Sequence, residues 1–324
     1  MKAGRFVYLL PILFTGTTLF YFSTCPVGNI GTGNSGFFNV GSSDLQKPSW
    51  ALNQPGNVYL YIQAPSSLNY SESSGLNYKL PLIYINNIYT MSNSRLEVSY
   101  YVYSYVLSSP YSGNFYAEPA IYNSSSNKLS PSNSTIGNIE ISLSPGLQVI
   151  PSQIPIVIEY NISNVVTNVL IPLQLNYSNT QTTSSKTVYY SSSPIIPTSS
   201  NINVNETNGN IDFLIAFKDS VGCFSNVYSN NQATFNVDAE LYIIGANKIH
   251  IPNGGKGFSC SPTQNVPINS STISCRINIQ QLVQNYPEIK NLLNSNLGLP
   301  AYVLMNLSYN CYEKRVYNIW VTKT

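Results

Sequence analysis

The chain has 324 residues, only 9% of them charged, and a net charge of +2. With neither a basic nor an acidic block, it lacks the electrostatic footprint of a nucleic-acid binder. One histidine and no Cys-x-x-Cys spacing argue against a zinc centre and a blue-copper site, so no cofactor or metal is expected.

The first element is the apolar run Phe6–Phe22, seventeen residues preceded by Lys2 and Arg5. That length reaches the lower limit for a membrane-spanning helix and exceeds a usual signal-peptide core. Residues 1–25 are therefore read as an N-terminal membrane anchor or signal. The two basic residues keep the N-terminus inside and send the rest of the chain out. If the segment is cleaved, the protein is secreted. Residues 26–47, rich in Gly, Asn and Ser, read as a spacer, with a short apolar patch at Phe37, Phe38 and Val40.

Residues 48–200 form the first predicted domain. Strand candidates are Asn57–Ala64, Lys79–Thr90, Leu96–Leu107, Phe115–Tyr122, Ile136–Leu143, Gln148–Ile162, Val165–Tyr177 and Lys186–Ser191. They are rich in Val, Ile and Tyr and are separated by Pro, Gly, Ser and Asn clusters. Leu96, Val98, Tyr100 and Val102 alternate with Glu97, Ser99, Tyr101 and Tyr103, the period of a half-buried strand. The polar runs Asn123–Ser134 and Tyr177–Thr187 read as loops, and Ser191–Asn210 as a linker.

Residues 201–324 form the second. Phe235, Val237, Ala239, Leu241 and Ile243 share one strand face, with Asn236, Asp238, Glu240 and Tyr242 on the other. Ile279, Leu282, Val283, Tyr286, Ile289 and Leu293 follow a helical period instead, and Pro287 suits the first position of a second short helix. Ala301–Tyr312 and Arg315–Thr322 read as a hairpin turning near Glu313–Lys314. The predicted fold is thus mainly β: a membrane helix followed by two antiparallel β-sandwich domains, Ig-like or jelly-roll, the second with a short helical insertion.

Cys223, Cys260, Cys275 and Cys311 all lie in the last third and point to two disulfides in an oxidising compartment. Four cysteines allow three pairings, and sequence does not choose among them; the nested one, Cys260–Cys275 within Cys223–Cys311, is the expectation. Glycosylation sequons stand at Asn69, Asn123, Asn133, Asn161, Asn176, Asn205, Asn269 and Asn306. With 41 Asn and 64 Ser plus Thr, chance alone yields about eight, so the count itself carries no weight. On the final strand Asn306 is expected to face solvent.

Chemistry has few footholds. His250 has no nucleophile elbow to serve. Asn253–Gly257 lacks the strand–loop–helix context of a phosphate loop. Asp238 and Glu240, about 7 Å apart along one strand face, are the only paired carboxylates. Tyr101, Tyr103 and Tyr105 form an aromatic stripe that could stack on sugars, dock a protein or pack between sheets. No residue is assigned a catalytic role.

The anchor, the spacer and runs such as YYVYSYVLSSPYSG (Tyr100–Gly113) together resemble the exported surface proteins of thermoacidophilic archaea: envelope-layer subunits, filament subunits and virion vertex proteins. The resemblance is one of style and carries no residue across. It implies an extracellular structural or adhesive protein whose partners are the membrane, other subunits including its own copies, and glycans. The alternative is a secreted, acid-tolerant hydrolase or carbohydrate-binding module.

Overall fold

The computed structural model describes residues 47–107, 109–176, 181–223, 234–244, 248–268, 272–293 and 298–324. The expected anchor, nearly all of the spacer with its Phe37–Val40 patch, and Asn269 lie outside the described residues. Among the described residues, no helix is long and apolar enough to cross a membrane.

The protein is mainly β. In chain order the strands are β1 (Val58–Ile62), β2 (Leu68–Tyr70), β3 (Leu76–Asn86), β4 (Leu96–Tyr103), β5 (Tyr111–Ala117), β6 (Ile121–Asn123), β7 (Lys128–Ser130), β8 (Ser132–Leu143), β9 (Gln153–Leu175), β10 (Thr182–Thr187), β11 (Tyr189–Tyr190) and β12 (Ile195–Pro197). They continue with β13 (Asn201–Thr207), β14 (Asn210–Asp219), β15 (Thr234–Ile243), β16 (Ile249–Pro252), β17 (Phe258–Ser261), β18 (Val266–Pro267) and β19 (Thr272–Asn278). Two short helices, α1 (Ile279–Asn285) and α2 (Pro287–Leu293), precede β20 (Leu299–Lys323).

Two long strands join the halves. β9 and β20 pair antiparallel from Leu299 opposite Leu175 to Trp320 opposite Gln153. They are the spine of a sheet ordered β16-β15-β20-β9-β4-β5. Two smaller sheets, β1-β3-β8 and β10-β13-β14-β19-β17, supply the opposing layer. Packing across the layers is direct. The Tyr317 hydroxyl donates to the Leu60 carbonyl at 2.6 Å, and the Phe217 and Phe235 rings meet edge-on at 5.5 Å.

A bulge makes this possible. Between Tyr309 and Cys311 the register advances two residues on β20 but three on β9, so β9 holds one extra residue around Ser163–Asn164. Asn164 sits at φ 58°, a conformation asparagine tolerates, and its N–H donates to Asn310 Oδ1 at 3.0 Å. The buried positions of β9 accordingly switch from even (Ile154, Ile156, Ile158, Tyr160, Ile162) to odd (Val165, Thr167, Val169, Ile171, Leu173). On β20 the inward positions stay odd from Ala301 through Cys311 to Val321. Both smaller sheets therefore stack on the same side of the long one; its other side is open at the first-half end, and at the second-half end Trp50 and Ala51 pack over Leu170, Tyr302 and Leu304.

Several expectations change. Gln148–Ile162 and Val165–Tyr177 are one strand, not two. The hairpin at Glu313–Lys314 does not exist: β20 runs straight through it. Glu313 is 3% exposed and stands opposite Tyr160, which donates to it at 2.6 Å; Arg315 adds bonds of 2.8 and 2.9 Å, and Asn57 Nδ2 is a further donor. Lys314 points the other way and pairs with Glu159 at 2.8 Å. A charged triplet that reads as a turn is instead satisfied on both faces of a strand.

The boundary near residue 200 does not divide the sheets, because β20 pairs with the first half of β9 and β9 with the first half of β20. Nor is Ser191–Asn210 a linker. Ser191, Ser192 and Ser193 are fully buried, and Ser192 Oγ donates to the Asn87 carbonyl at 2.9 Å. There the chain crosses Gly56, where an added Cβ would collide with Ser192 Oγ and the Asn87 carbonyl. The polar runs expected as loops contribute β7, the start of β8 and β10, whose serine, threonine and asparagine side chains carry no hydrophobic alternation to betray a strand.

The second-half elements match their pattern. Asn278 caps α1, its Oδ1 accepting from Gln281 N at 2.8 Å, and Pro287 opens α2. Cys223 bonds Cys311 and Cys260 bonds Cys275, with sequence separations of 88 and 15. The first ties the end of β14 to the bulge in the spine; the second crosses β17 and β19. These disulfides fit an oxidising environment.

Two outcomes are expected in denaturant. Glu313→Ala leaves Arg315, Tyr160 and Asn57 without their shared acceptor and costs about 3–5 kcal/mol by equilibrium unfolding. Replacing Cys223 and Cys311 together by serine costs roughly 4–5 kcal/mol against roughly 3 for Cys260 and Cys275, because the longer loop constrains the unfolded chain more.

Candidate functional site

The open side of the long sheet carries the candidate residues. At its first-half end, register places Tyr103 opposite Val157 and Tyr101 opposite Glu159 across β4 and β9, while Val316 stands opposite Val157 and Lys314 opposite Glu159 across β20. The expected stripe of Tyr101, Tyr103 and Tyr105 lies on this side, although β4 ends at Tyr103 and Tyr105 sits just beyond it. The rings of Tyr101 and Tyr103 approach to 5.5 Å.

An ion pair sits in the middle of these rings. Glu159 accepts from Lys314 at 2.8 Å and from Tyr103 at 2.9 Å. The hydrogen bond from Lys314, helped by those of Tyr103 and Tyr312, holds the Glu159 carboxyl below its ordinary range. Tyr105 donates to the Gln153 carbonyl at 3.2 Å, and Trp320 stands opposite Gln153. Tyr101, Tyr105, Val316 and Trp320 are 43, 64, 56 and 54% exposed. Large apolar surface therefore surrounds a neutralised centre.

Trp320 and Val316 were not singled out from sequence. Their signal was present: Val316, Asn318 and Trp320 alternate with Tyr317, Ile319 and Val321. What was missing was the register that sets them beside the tyrosine stripe.

At the other, partly covered end the same side carries Asp238 and Glu240 on β15. Glu240 accepts from the Tyr242 hydroxyl and lies 3.2 Å from His250 Nε2. Tyr242 stacks between His250 and Tyr302, with both ring centroids at 4.8 Å, and Lys248 Nζ lies 4.9 Å over its ring. Trp50 and Ala51 cover Leu170 and Leu304 beside this stack. Burial, then the charge of Glu240, raise the Asp238 carboxyl above its ordinary value. Among the described residues, no group of three or more His, Cys, Asp and Glu could hold a metal ion.

The sequons divide by environment. Asn69, Asn123, Asn133 and Asn205 are exposed; Asn161 and Asn176 are half-buried. Asn306 is also half-buried, not openly solvent-facing as expected. Its Oδ1 accepts from Asn168 Nδ2 at 2.9 Å, and Asn168 in turn accepts from Met91 N at 2.7 Å. The alternation on β20 had the correct face, but segments from elsewhere in the chain lie over it.

A raised Asp238 binds its proton more tightly folded than unfolded. Its charged form is disfavoured in the fold, so stability falls as pH rises from the ordinary value of 3.8 through the higher folded value. Asp238→Asn should remove that component, and thermal melts of the two proteins compared across the acidic range will show their difference growing with pH until Asp238 is fully ionised.

No family model matches the chain, and no curated protein matches it. Among solved structures, the N-terminal domain of the Streptococcus gordonii adhesin Sgo0707 aligns with 86% of this chain and 91% of its own at 7% identity and a TM-score of 0.12, a likeness that carries no argument.

Proposed function

We propose that this is an extracellular structural or adhesive surface protein that assembles with other subunits through the open side of its long sheet. The observation that carries the reading is the exposed cluster of Trp320, Val316, Tyr101 and Tyr105 around the Glu159–Lys314 pair. Exposed apolar area of this kind marks an interaction surface, and tyrosine and tryptophan are the residues that anchor one. The occupant is another subunit, with a second copy of this chain as the first candidate. In this reading Phe6–Phe22 holds the protein at a membrane with the N-terminus inside, and residues 26–47 lift the β-sandwich away from it. An envelope layer, a filament and a virion spike all suit such a part, and an archaeal source suits its composition. Any N-linked glycans belong on the exposed sequons Asn69, Asn123 and Asn133.

The hydrolase alternative is less well supported. Glu240 is engaged by Tyr242 and His250 within a ring stack, which is how a structural carboxylate is held.

Trp320→Ser combined with Val316→Ser tests the assembly reading. Both side chains are exposed, so unfolding should shift by no more than about 0.5 kcal/mol each. Negative-stain microscopy and sedimentation of the native protein should show a lattice, filament or oligomer that the double variant lacks. Assembly unchanged in the variant, or a wild type that is monomeric when taken gently from its source, would remove the proposal.

A further inference from the structure

The second-half sheet of the opposing layer has an outer face of its own, away from both the core and the assembly surface. Register builds it in ranks. Thr183 lies opposite Asn205, Asn205 opposite Asp212, and Asp212 opposite Arg276. Further along, Leu214 lies opposite Ser274, and Ala216 opposite Thr272. Over β13, β14 and β19 these residues, Thr183 apart, line a cleft of about 650 Å³, within the size range of small-molecule sites.

The composition of this face departs from the rest of the chain. The protein has 26 tyrosines, yet none lines the cleft. Apart from Arg276 and Leu214, the side chains turned outward here are small amides, hydroxyls, an alanine and one carboxylate. Short side chains over a sheet leave a trough, whereas the long ones used on the other open face fill theirs.

The hydrogen-bonding groups are arranged. Thr183 Oγ1 donates to Asn205 Oδ1 at 2.9 Å, and Thr187 Oγ1 donates to Asn201 Oδ1 at 3.2 Å. Each oxygen keeps a second lone pair and each amide its N–H groups, so Asn201 and Asn205 offer a ligand both acceptors and donors. Arg276 Nε donates to Asp212 Oδ1 at 2.6 Å, which closes one end with a pair whose charges cancel. Leu214, 60% exposed, is the apolar patch on the floor.

We propose that this cleft binds a neutral oligosaccharide. A sugar chain presents hydroxyls that both donate and accept, and C–H faces between them. Amides and Asp212 match the first, and Leu214 matches the second. An anionic ligand finds no uncompensated cation, because Arg276 is already paired. A peptide would seek a strand edge or a row of apolar pockets, and the cleft floor offers one leucine and one alanine. The site is separate from the assembly surface and does not depend on it.

The test is an array of neutral, sulfated and sialylated glycans, probed with the full-length protein in a detergent that has no sugar headgroup. Neutral glycans should bind, and charged ones should not. Asn203 lines the cleft between Asn201 and Asn205 on β13; Asn203→Ala and Asp212→Ala should each weaken the strongest neutral ligand at least tenfold, and Leu214→Ser several-fold, in proteins whose circular-dichroism melts match the wild type. Trp320→Ser should leave glycan binding unchanged, which separates this site from the assembly surface. The proposal is overturned by an array on which no neutral glycan binds, by binding that survives both Asp212→Ala and Asn203→Ala, or by binding that is lost with Trp320→Ser.

Discussion

The hydrogen-bonded ladder between β9 and β20 is the constraint on which the rest of the protein depends. Two strands of 23 and 25 residues are far longer than strands usually run. Each must keep one face buried along its whole length while serving two different opposing sheets. A period-two pattern alone would let sheet twist carry the second half out of line with the first. One extra residue at Ser163–Asn164, with Asn164 in the left-handed region, resets the pairing where the two halves meet. The Cys223–Cys311 bond fastens the chain beside that reset.

The spine also explains why a carboxylate is buried in a protein with so few charges. Glu313 sits where β20 passes beneath β1, and its oxygens accept from three side chains contributed by three strands or their flanks: Asn57, Tyr160 and Arg315. Burial, together with the Glu313 charge, pushes the Tyr160 hydroxyl far above its ordinary value, so that group remains a donor. A buried ion pair is weak evidence for net stability, yet removing one partner is costly. Here the network acts chiefly as a register lock, since a slip of one residue would turn Glu313 to solvent and Lys314 into the core.

Stacking both smaller sheets on one side gives the molecule two kinds of outward surface. The long sheet exposes aromatic and aliphatic side chains around a neutralised ion pair, the chemistry of a protein contact. The second-half sheet exposes amides and hydroxyls in a trough, the chemistry of a polyhydroxylated ligand. On each, the central charges are paired, Glu159 with Lys314 and Asp212 with Arg276.

Strand content, the helical insertion, the alternation on β4 and β15 and the presence of two disulfides were legible in the sequence, because each depends on local periodicity or on counting. Phe235–Ile243 alternates, so it is a half-buried strand whatever it pairs with; Pro287 opens a helix because its missing N–H costs nothing there. What tertiary structure alone decided is where charge and polarity stop being reliable guides. Glu313–Lys314–Arg315 reads as a turn until Tyr160, Asn57 and Glu159 are placed around it. Ser191–Ser193 reads as a linker until Asn87 and Gly56 cross it. Trp320 joins Tyr101 and Tyr105, and Arg276 joins Asp212, only through pairing between residues far apart in sequence. The physical reason is common to all of these: the free energy of a polar group depends on the partner that replaces its water, and here that partner is supplied by a distant part of the chain.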